Sequence, residues 1–310
     1  MTDTTEPEPE TKTPALAPST ATSTSTSTVP HRRAGLRGLR ALGDGPLFPA
    51  AVILLVALVA AALFAPLVAP YAPESVDLSA SLLGTTGDHW LGTDQSGRDV
   101  LSRLVYGART GLLGPLLVVM LSTLLGTLLG VVAAWRGGWA DAILSRSMDL
   151  VFAIPGLLVA IMFVAVLGPG TTAPVIAIAI AYTPYVGRLV RGIAQQEKAR
   201  PYIEAYRVQG WAGWTICVRH LLPNIAPIVL AQSAINFGYA LMDLAALSFL
   251  GFGVQPPAAD WGAMINEGQS ALQQGAMLPA LAPSACIVLA VVAFGVVGEG
   301  IADPVAKRER

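Results

Sequence analysis

Four polar residues share one face of an apolar segment in the second half of the chain. Asn236, Tyr239 and Asp243 follow Gln232 by 4, 7 and 11 residues, which are close to whole turns of a helix with about 3.6 residues per turn. A carboxylate within an apolar span is costly and usually faces a cavity or a partner. We therefore expect this face either to hydrogen-bond a polar solute or to join its helix to a neighbouring helix or subunit.

The other residues with reactive side chains form no catalytic or metal-binding pattern in the sequence. His31, His89 and His220 are scattered, and Cys217 and Cys286 fall in separate segments, so neither a metal site nor a disulfide is expected. The sequence contains no G-x-x-x-x-G-K-[ST] motif and therefore no P-loop. Because no acid/base pair or ligand set converges on one face, the sequence argues against an integral-membrane enzyme.

A polar and basic segment, 188–223, separates two strongly apolar segments. It predicts a docking element for a soluble partner, although a solvated connection that serves only topology is the alternative. Proline favours the first turn of a helix, and glycine permits a sharp break. We therefore expect a rigid series of helix, break, second short helix and start of the next span: Pro201 with 202–209, Gly210, 211–219 and Pro223.

The composition is that of an all-α integral membrane protein. Of the 310 residues, 54% are hydrophobic and only 13% are charged, whereas a soluble domain carries roughly 25% charged residues. The mean hydropathy is +0.60. Apolar runs of the length that crosses a bilayer as a helix predict about six spans: Leu47–Ala69, Thr110–Ala134, Met148–Leu167, Pro174–Val190, Asn224–Leu250 and Leu278–Val297.

The distribution of charge predicts the domain limits and the orientation. Residues 1–46 form a basic N-terminal tail that we expect to be disordered, 47–303 form the transmembrane domain, and 304–310 form a C-terminal tail. Most of the 19 Lys and Arg residues fall on one side of the expected spans, and 251–277 contains none. The positive-inside rule then places both termini in the cytoplasm.

Three arginines, Arg98, Arg103 and Arg109, lie on the expected outer side. The apolar residues between them recur at helical spacing, which predicts a short amphipathic helix at the outer interface that leads into the second span. Their side chains are expected to reach anionic headgroups or the carboxylates of Asp94 and Asp99.

The basic segment resembles the cytoplasmic signature of binding-protein-dependent ABC importer permeases: E-A-A, three residues, G, nine residues, I-x-L-P. Tyr206 replaces the second Ala of that signature, and His220 replaces the Ile. The other signature positions match in register: Glu204, Ala205, Gly210, Leu222 and Pro223.

Two longer segments, 92–110 and 247–268, look like hallmark segments of dipeptide and oligopeptide permeases. The resemblance covers about Leu47 to Asp303, and the stretch 242–251, with Asp243 before Leu244, is closer to the dipeptide subtype. It implies the fold of an ABC type I importer permease in a bacterial inner (plasma) membrane. The substrate is then expected to be a dipeptide or short peptide.

The resemblance also implies partners. They are a second, homologous permease subunit, two cytoplasmic ATPase subunits that bind ATP and Mg²⁺, and an extracytoplasmic solute-binding protein. This chain then holds no cofactor of its own and has lipid around it, with no role for nucleic acid. The coupling helix that seats in a groove of the ATPase falls at about 202–215, and the residues assigned to coupling are Tyr202, Ile203, Glu204, Ala205, Tyr206, Gly210, Leu222 and Pro223.

Two groups of alternatives remain open. Related ABC permeases serve oligopeptide, nickel or glutathione systems. A proton-coupled secondary transporter is the other alternative. That class tends to place ionisable groups at the midplane of the bilayer and often contains inverted repeats; the sequence shows no such repeat, and Asp243 is the single carboxylate on the polar face.

Overall fold

The structure, a computed structural model, describes Thr2 and residues 46–308, with side chains as far as Ala302. The expected N-terminal tail, 1–46, thus lies outside the described residues except for Thr2 and Pro46. Of the expected C-terminal tail, 304–310, the backbone to Arg308 continues the last helix. The domain limits therefore stay predictions.

The described residues form helices joined by connections of very different length. In chain order these are α1 (Leu47–Leu63), α2 (Ala65–Val68), a 3₁₀ turn (Leu78–Ala80), α3 (Val100–Arg136), α4 (Gly138–Phe152), α5 (Gly156–Leu167), α6 (Thr172–Lys198), α7 (Pro201–Val208), α8 (Gly213–Ile216), a π-helical turn (Cys217–Leu221), α9 (Leu222–Phe249), α10 (Trp261–Gln273) and α11 (Leu278–Arg308).

The prediction of an all-α membrane protein is confirmed. In the described part of the chain, four helices are long and apolar enough to cross a membrane: α3, α6, the continuous helix Gly213–Phe249, and α11 over Leu278–Ala302. The bent pair α4 and α5 supplies up to one more span, and α1 is a shorter apolar helix. These six elements are the counterparts of the six predicted apolar runs.

The span predicted at Met148–Leu167 is not one straight helix. It is broken at 153–155, where α4 and α5 meet at an angle of 78°. Pro155 has no backbone N–H, and its ring disfavours helical geometry at Ile154. The break leaves α5 with an N-terminus of its own.

The second short helix of the basic segment is also not separate. From Gly213 the chain runs without interruption through the π-helical turn into α9. Pro223, which was expected to start the span, lies in the first turn of α9, directly after this wider turn. The N–H of Leu222 donates to the carbonyl of Cys217 and closes the turn. The helix therefore continues past Pro223, although Pro223 has no N–H to donate.

The predicted helix at the outer interface is the first part of α3, and Arg98 and Arg103 reach one of the expected carboxylates, that of Asp94. Arg103 is 1% exposed, and its Nη1 lies 2.6 Å from both Asp94 Oδ2 and Glu267 Oε2. Arg98 binds the same two oxygens, at 2.7 Å each. Glu267 comes from α10, so the fold supplies a second carboxylate that the sequence around the arginines does not predict. Both arginines are therefore neutralised inside the protein.

The other two charged residues considered with this helix cap helix ends. Asp99 accepts the N–H of Ser102 at the start of α3 and pairs with His89 at 3.0 Å. Arg109 donates from Nε to the carbonyl of Ala62, at 2.6 Å, at the end of α1. These bonds satisfy backbone groups that a helix terminus leaves without intrahelical partners.

Glycines allow α3 and α6 to pack in close contact. A Cβ on Gly130 would lie 2.6 Å from the carbonyl oxygen of Gly187, and a Cβ on Gly126 would lie 2.7 Å from Cβ of Val186. Small residues at this spacing let membrane helices approach at backbone distance. The contact fixes α6 against α3, and α6 leads directly into α7.

The Gly130→Ala substitution should lower the thermal stability of the purified transporter complex. The added methyl group meets backbone atoms of α6, and over-packing of this kind costs about 1–3 kcal/mol. Gly192→Ala is the matched control, because a Cβ at that position of α6 has no atom within 4 Å. Equal melting temperatures for the two variants, measured in detergent, would show that α3 and α6 tolerate greater separation.

Candidate functional site

The helix predicted at 202–209 is present as α7, Pro201–Val208, at the end of α6. Pro201 occupies its first turn, where a missing N–H costs nothing. Ile203 is fully buried, while Glu204, Ala205 and Val208 are exposed. The short helix is thus anchored by one face and presents the other to solvent.

A buried carboxylate connects α7 to both neighbouring long helices. Glu197, near the end of α6, is buried. Its Oε1 accepts the hydroxyl of Tyr202 and, at 3.0 Å, Nδ2 of Asn224 in α9. Its Oε2 lies 2.8 Å from Nε of Arg200. Burial, and then the hydrogen bond to Glu197, raises the pKa of Tyr202 to about 12, so the phenol stays protonated and donates.

The two positions at which the basic segment departs from the permease signature contact each other. The rings of Tyr206 and His220 stack with centroids 4.2 Å apart and an interplanar angle of 21°. Trp211 lies against both, at 5.2 Å from Tyr206 and 5.7 Å from His220. A stacked ring pair therefore stands where the signature has Ala and Ile, and it ties α7 to the π-helical turn.

The remaining residues assigned to coupling lie around this anchor. Gly210 has φ +80°, a backbone conformation that glycine adopts without strain, and it turns the chain between α7 and α8. Leu222 is half-buried, Pro223 is exposed, and the Glu204 side chain is 70% exposed. The structure thus groups all the predicted coupling residues at one end of the bundle. Glu197 and Asn224 also belong to this site; the resemblance gave no role to either.

The polar face of α9 borders an open cavity of about 590 Å³. The cavity lies between the α4–α5 break, α6 and α9. Its lining residues are Phe152, Ile154, Pro155, Gly156, Leu157, Ala181, Tyr182, Tyr185, Asn236, Tyr239 and Asp243. Three of the four predicted residues therefore share one cavity wall, whereas Gln232 is not part of the lining.

Hydrogen bonds organise this wall. The Tyr182 hydroxyl donates to Oδ2 of Asp243 at 2.8 Å. Gln232 donates from Nε2 to Oδ1 of Asn236 at 3.1 Å and to the Tyr185 hydroxyl at 3.2 Å. The sequence analysis missed both tyrosines, although they lie three residues apart in an apolar run and so share a helix face. Within the described residues, no group of His, Cys, Asp and Glu side chains could hold a metal ion.

The fold and these two sites define a helical membrane protein with an anchored helix at one end and, among its spans, a cavity with polar side chains in one wall. The family model described as "Binding-protein-dependent transport system inner membrane component" matches residues 126–310. The chain belongs to this family.

Curated relatives match most of the chain. It is 39% identical over 255 residues to the glutathione transport system permease protein GsiD of Pectobacterium atrosepticum, covering 82% of this chain and 84% of that protein. It is 35% identical over 252 residues to the dipeptide transport system permease protein DppC of Alkalihalophilus pseudofirmus, covering 81% and 83%. The probable D,D-dipeptide permease DdpC of Escherichia coli is also 35% identical, with coverage of 84% and 88%.

A solved structure shares the fold. The inward-facing MetNI methionine ABC transporter aligns with a TM-score of 0.53 and 18% identity, over 66% of this chain and 97% of that chain. At this identity the similarity concerns the fold alone.

Family membership makes the chain a multi-pass inner-membrane permease subunit of an ABC transporter. Such a subunit is not itself catalytic, because ATP is bound by partner ATPases. A binding-protein-dependent system also implies an ATPase and a solute-binding protein as partners. The expected class of protein is thereby confirmed.

Substitutions at Tyr206 and His220 should be strongly non-additive. The double variant Tyr206→Ala with His220→Ile restores the signature residues. We expect it to lose about 0.5–1.5 kcal/mol less free energy of unfolding than the sum of the losses in the two single variants, which is the contribution of an aromatic pair. Thermal unfolding of the purified complex measures the coupling. Tyr206→Ala combined with Thr123→Val on α3 is the control, and its losses should add. Additive losses in the first pair as well would mean that the stack does not tie α7 to α9.

Proposed function

We propose that the chain is the membrane-spanning permease subunit of an ATP-driven importer for dipeptides and other short peptides. In this proposal it pairs with a second, homologous permease, and two cytoplasmic ATPase subunits dock beneath the pair. An extracytoplasmic solute-binding protein delivers the peptide. The observation that carries the proposal is the rigid anchoring of α7, with one face left exposed, at the end of the helix bundle.

Rigid anchoring favours transmission of movement. An ATPase that closes on ATP can shift a membrane equilibrium only if its movement reaches the spans. Through Glu197 the helix α7 is bonded to α6 and α9. Through the Tyr206–His220 stack it is packed on the π-helical turn. A displacement of α7 is therefore expected to move α6 and α9, two of the elements that border the cavity.

The exposed side of this region suits a protein partner. Val208 and Trp214 are 81% and 74% exposed, and Glu204 and Arg207, which form an ion pair on α7, are exposed as well. Apolar and aromatic side chains ringed by charged ones are typical of interface centres. The coupling residues named above thus fit a groove on the ATPase.

The charge pattern supports a cytoplasmic position for this end. Its basic residues include Arg191, Lys198, Arg200 and Arg207, whereas the connection that contains α10, 251–277, has no Lys or Arg. By the positive-inside rule α7 lies in the cytoplasm. With that orientation the start of α1 and the end of α11 also face the cytoplasm.

The relatives support a peptide substrate. Two of the three relatives described above are named for dipeptides, and the third, at 39% identity, is named for glutathione, which makes glutathione the second candidate. The cavity volume, about 590 Å³, falls within the range of roughly 300–1,000 Å³ of small-molecule sites. We propose that Asn236, Tyr239 and Asp243 line the translocation path and that Gln232 supports Asn236 from the next turn.

Reversing the charge of Glu204 tests the coupling role. We expect Glu204→Lys to reduce ATP-driven peptide uptake at least tenfold, together with co-purification of the ATPase, because the substituted side chain lies on the proposed docking face. Gly210→Val should act similarly by straining the turn at positive φ. Both are measured in proteoliposomes that contain the complete complex.

The matched control is Asp88→Lys, a charge reversal at an exposed position that precedes α3, at the opposite end of the bundle. It should leave uptake and ATPase association unchanged. Normal uptake in both Glu204→Lys and Gly210→Val would show that the docking face lies elsewhere.

The substrate is tested by competition. The reconstituted complex with its binding protein should take up a labelled dipeptide only with ATP, and unlabelled dipeptides should compete better than glutathione. Stronger competition by glutathione would favour the second candidate. Uptake by the isolated chain, without any ATPase, would contradict the proposed function itself.

A further inference from the structure

The cavity beside the α4–α5 break contains groups of opposite polarity. Asp243 provides a carboxylate, and the N-terminus of α5 provides backbone N–H groups at Gly156 and Leu157. We infer that the cavity is a subsite for a zwitterion: it binds the free ammonium group of a peptide at Asp243 and the free carboxylate at the start of α5. This inference rests on the proposed function and deepens it.

The ammonium position follows from the bonds that Asp243 makes. One oxygen, Oδ2, accepts the Tyr182 hydroxyl at 2.8 Å. No described Lys, Arg or His forms an ion pair with Asp243, so its carboxylate has no cationic partner within that part of the chain. The rings of Phe152, Tyr182 and Tyr239 also line the cavity, and aromatic faces attract ammonium groups. A peptide with a free N-terminus supplies the missing cation.

The carboxylate position follows from the helix break. α5 has 12 residues, its N-cap is Pro155, and no side chain caps it. Neither N–H of Gly156 and Leu157 bonds to a backbone acceptor in the described chain, whereas those of Leu158 and Val159 reach Pro155. Free N–H groups and the helix dipole together favour an anion at such a terminus.

Positive charge beside the break strengthens this preference. The guanidinium of Arg188 lies 3.8 Å from the centroid of the Phe152 ring, and Phe152 is the last residue of α4. Nη1 of Arg188 lies 3.8 Å from Oδ1 of Asp149 in an exposed pair, so the positive charge of Arg188 is only weakly compensated.

An unpartnered donor in the same wall is the independent sign of a ligand. Asn236 is 2% exposed and lines the cavity. Its Oδ1 accepts from Gln232, while its Nδ2 is buried without a hydrogen-bond partner among the described residues. A buried amide donor is costly to leave unpaired. Turned toward the cavity, this amide would donate to a peptide carbonyl or carboxylate oxygen held between Asp243 and α5.

The experiment measures binding to the complete permease–ATPase complex in nanodiscs, without the binding protein, so that delivery does not contribute to selectivity. A labelled dipeptide with free termini is displaced by three unlabelled peptides: the same dipeptide, its N-acetyl derivative and its C-terminal amide. For the wild-type complex we expect the free dipeptide to bind about tenfold more tightly than either blocked form, since each block removes one charge-assisted contact.

Substitutions at Asp243 test the ammonium position. Asp243→Asn should abolish the preference for the free amine while leaving the affinity for the N-acetyl dipeptide within about twofold of the wild-type value, because an acylated nitrogen no longer needs the charge. Tyr182→Phe keeps the carboxylate and should keep the preference. Ser233→Ala, which removes a hydrogen bond between Ser233 of α9 and Thr123 of α3, is the matched control on the same helix.

A pair of substitutions at Gly156 tests the carboxylate position. Gly156→Pro removes one N–H at a helix position that accepts proline, and the extended ψ of Pro155, 128°, accommodates a following proline. Gly156→Ala adds a Cβ at the same place, 3.2 Å from Cβ of Ala181, but keeps the N–H. Only Gly156→Pro should weaken the preference for the free carboxylate over the amide.

The outcomes separate the inference from the proposed function. Equal binding of free and blocked dipeptides to the wild-type complex, or no binding at all, overturns the inference. This result does not depend on whether the variants assemble. Loss of assembly in both Asp243→Asn and Tyr182→Phe also overturns it, because the pair then serves to join α6 to α9. ATP-driven uptake by the same wild-type complex, with its binding protein, remains in each of these cases if the proposed function holds.

Discussion

Backbone hydrogen bonding in lipid is the constraint on which the rest of this structure depends. A span that loses a backbone bond within the hydrocarbon must regain it from protein or open onto a cavity. Two prolines show different local responses, Pro155 among the spans and Pro223 at the end of the bundle. At Pro155 the helix stops, turns through 78° and borders a cavity. Before Pro223 the helix widens into a π-helical turn and continues. The first solution creates free N–H groups, and the second preserves a stiff rod.

The stiff rod has consequences at the end of the bundle that we propose to be cytoplasmic. Because α8, the π-helical turn and α9 are continuous, any group that holds the π-helical turn also holds α9. Tyr206 does so by stacking on His220. Glu197 does so by accepting a hydrogen bond from Asn224. A buried carboxylate that receives several donors is costly to disturb, and this one joins α6, α7 and α9 at a single point.

The other end is held together by charge. Two arginines and two carboxylates, from α3, the connection before it and α10, share oxygen atoms at 2.6–2.7 Å. Removing one partner from a buried set leaves an uncompensated charge, which costs more than the intact set gains. Close packing at Gly126 and Gly130 holds α3 against α6 between the two ends.

The sequence alone determined the class of protein, the approximate spans and α7, because length, apolar periodicity and proline position act over neighbouring residues. It also placed Asn236, Tyr239 and Asp243 on one face. It did not reveal the partner of Arg103, which is Glu267, 164 residues further along the chain, nor the contact of Tyr206 with His220. The cavity wall likewise combines a helix break, α6 and α9. Such contacts join residues far apart in the chain, and only the packing of whole helices decides which of them meet.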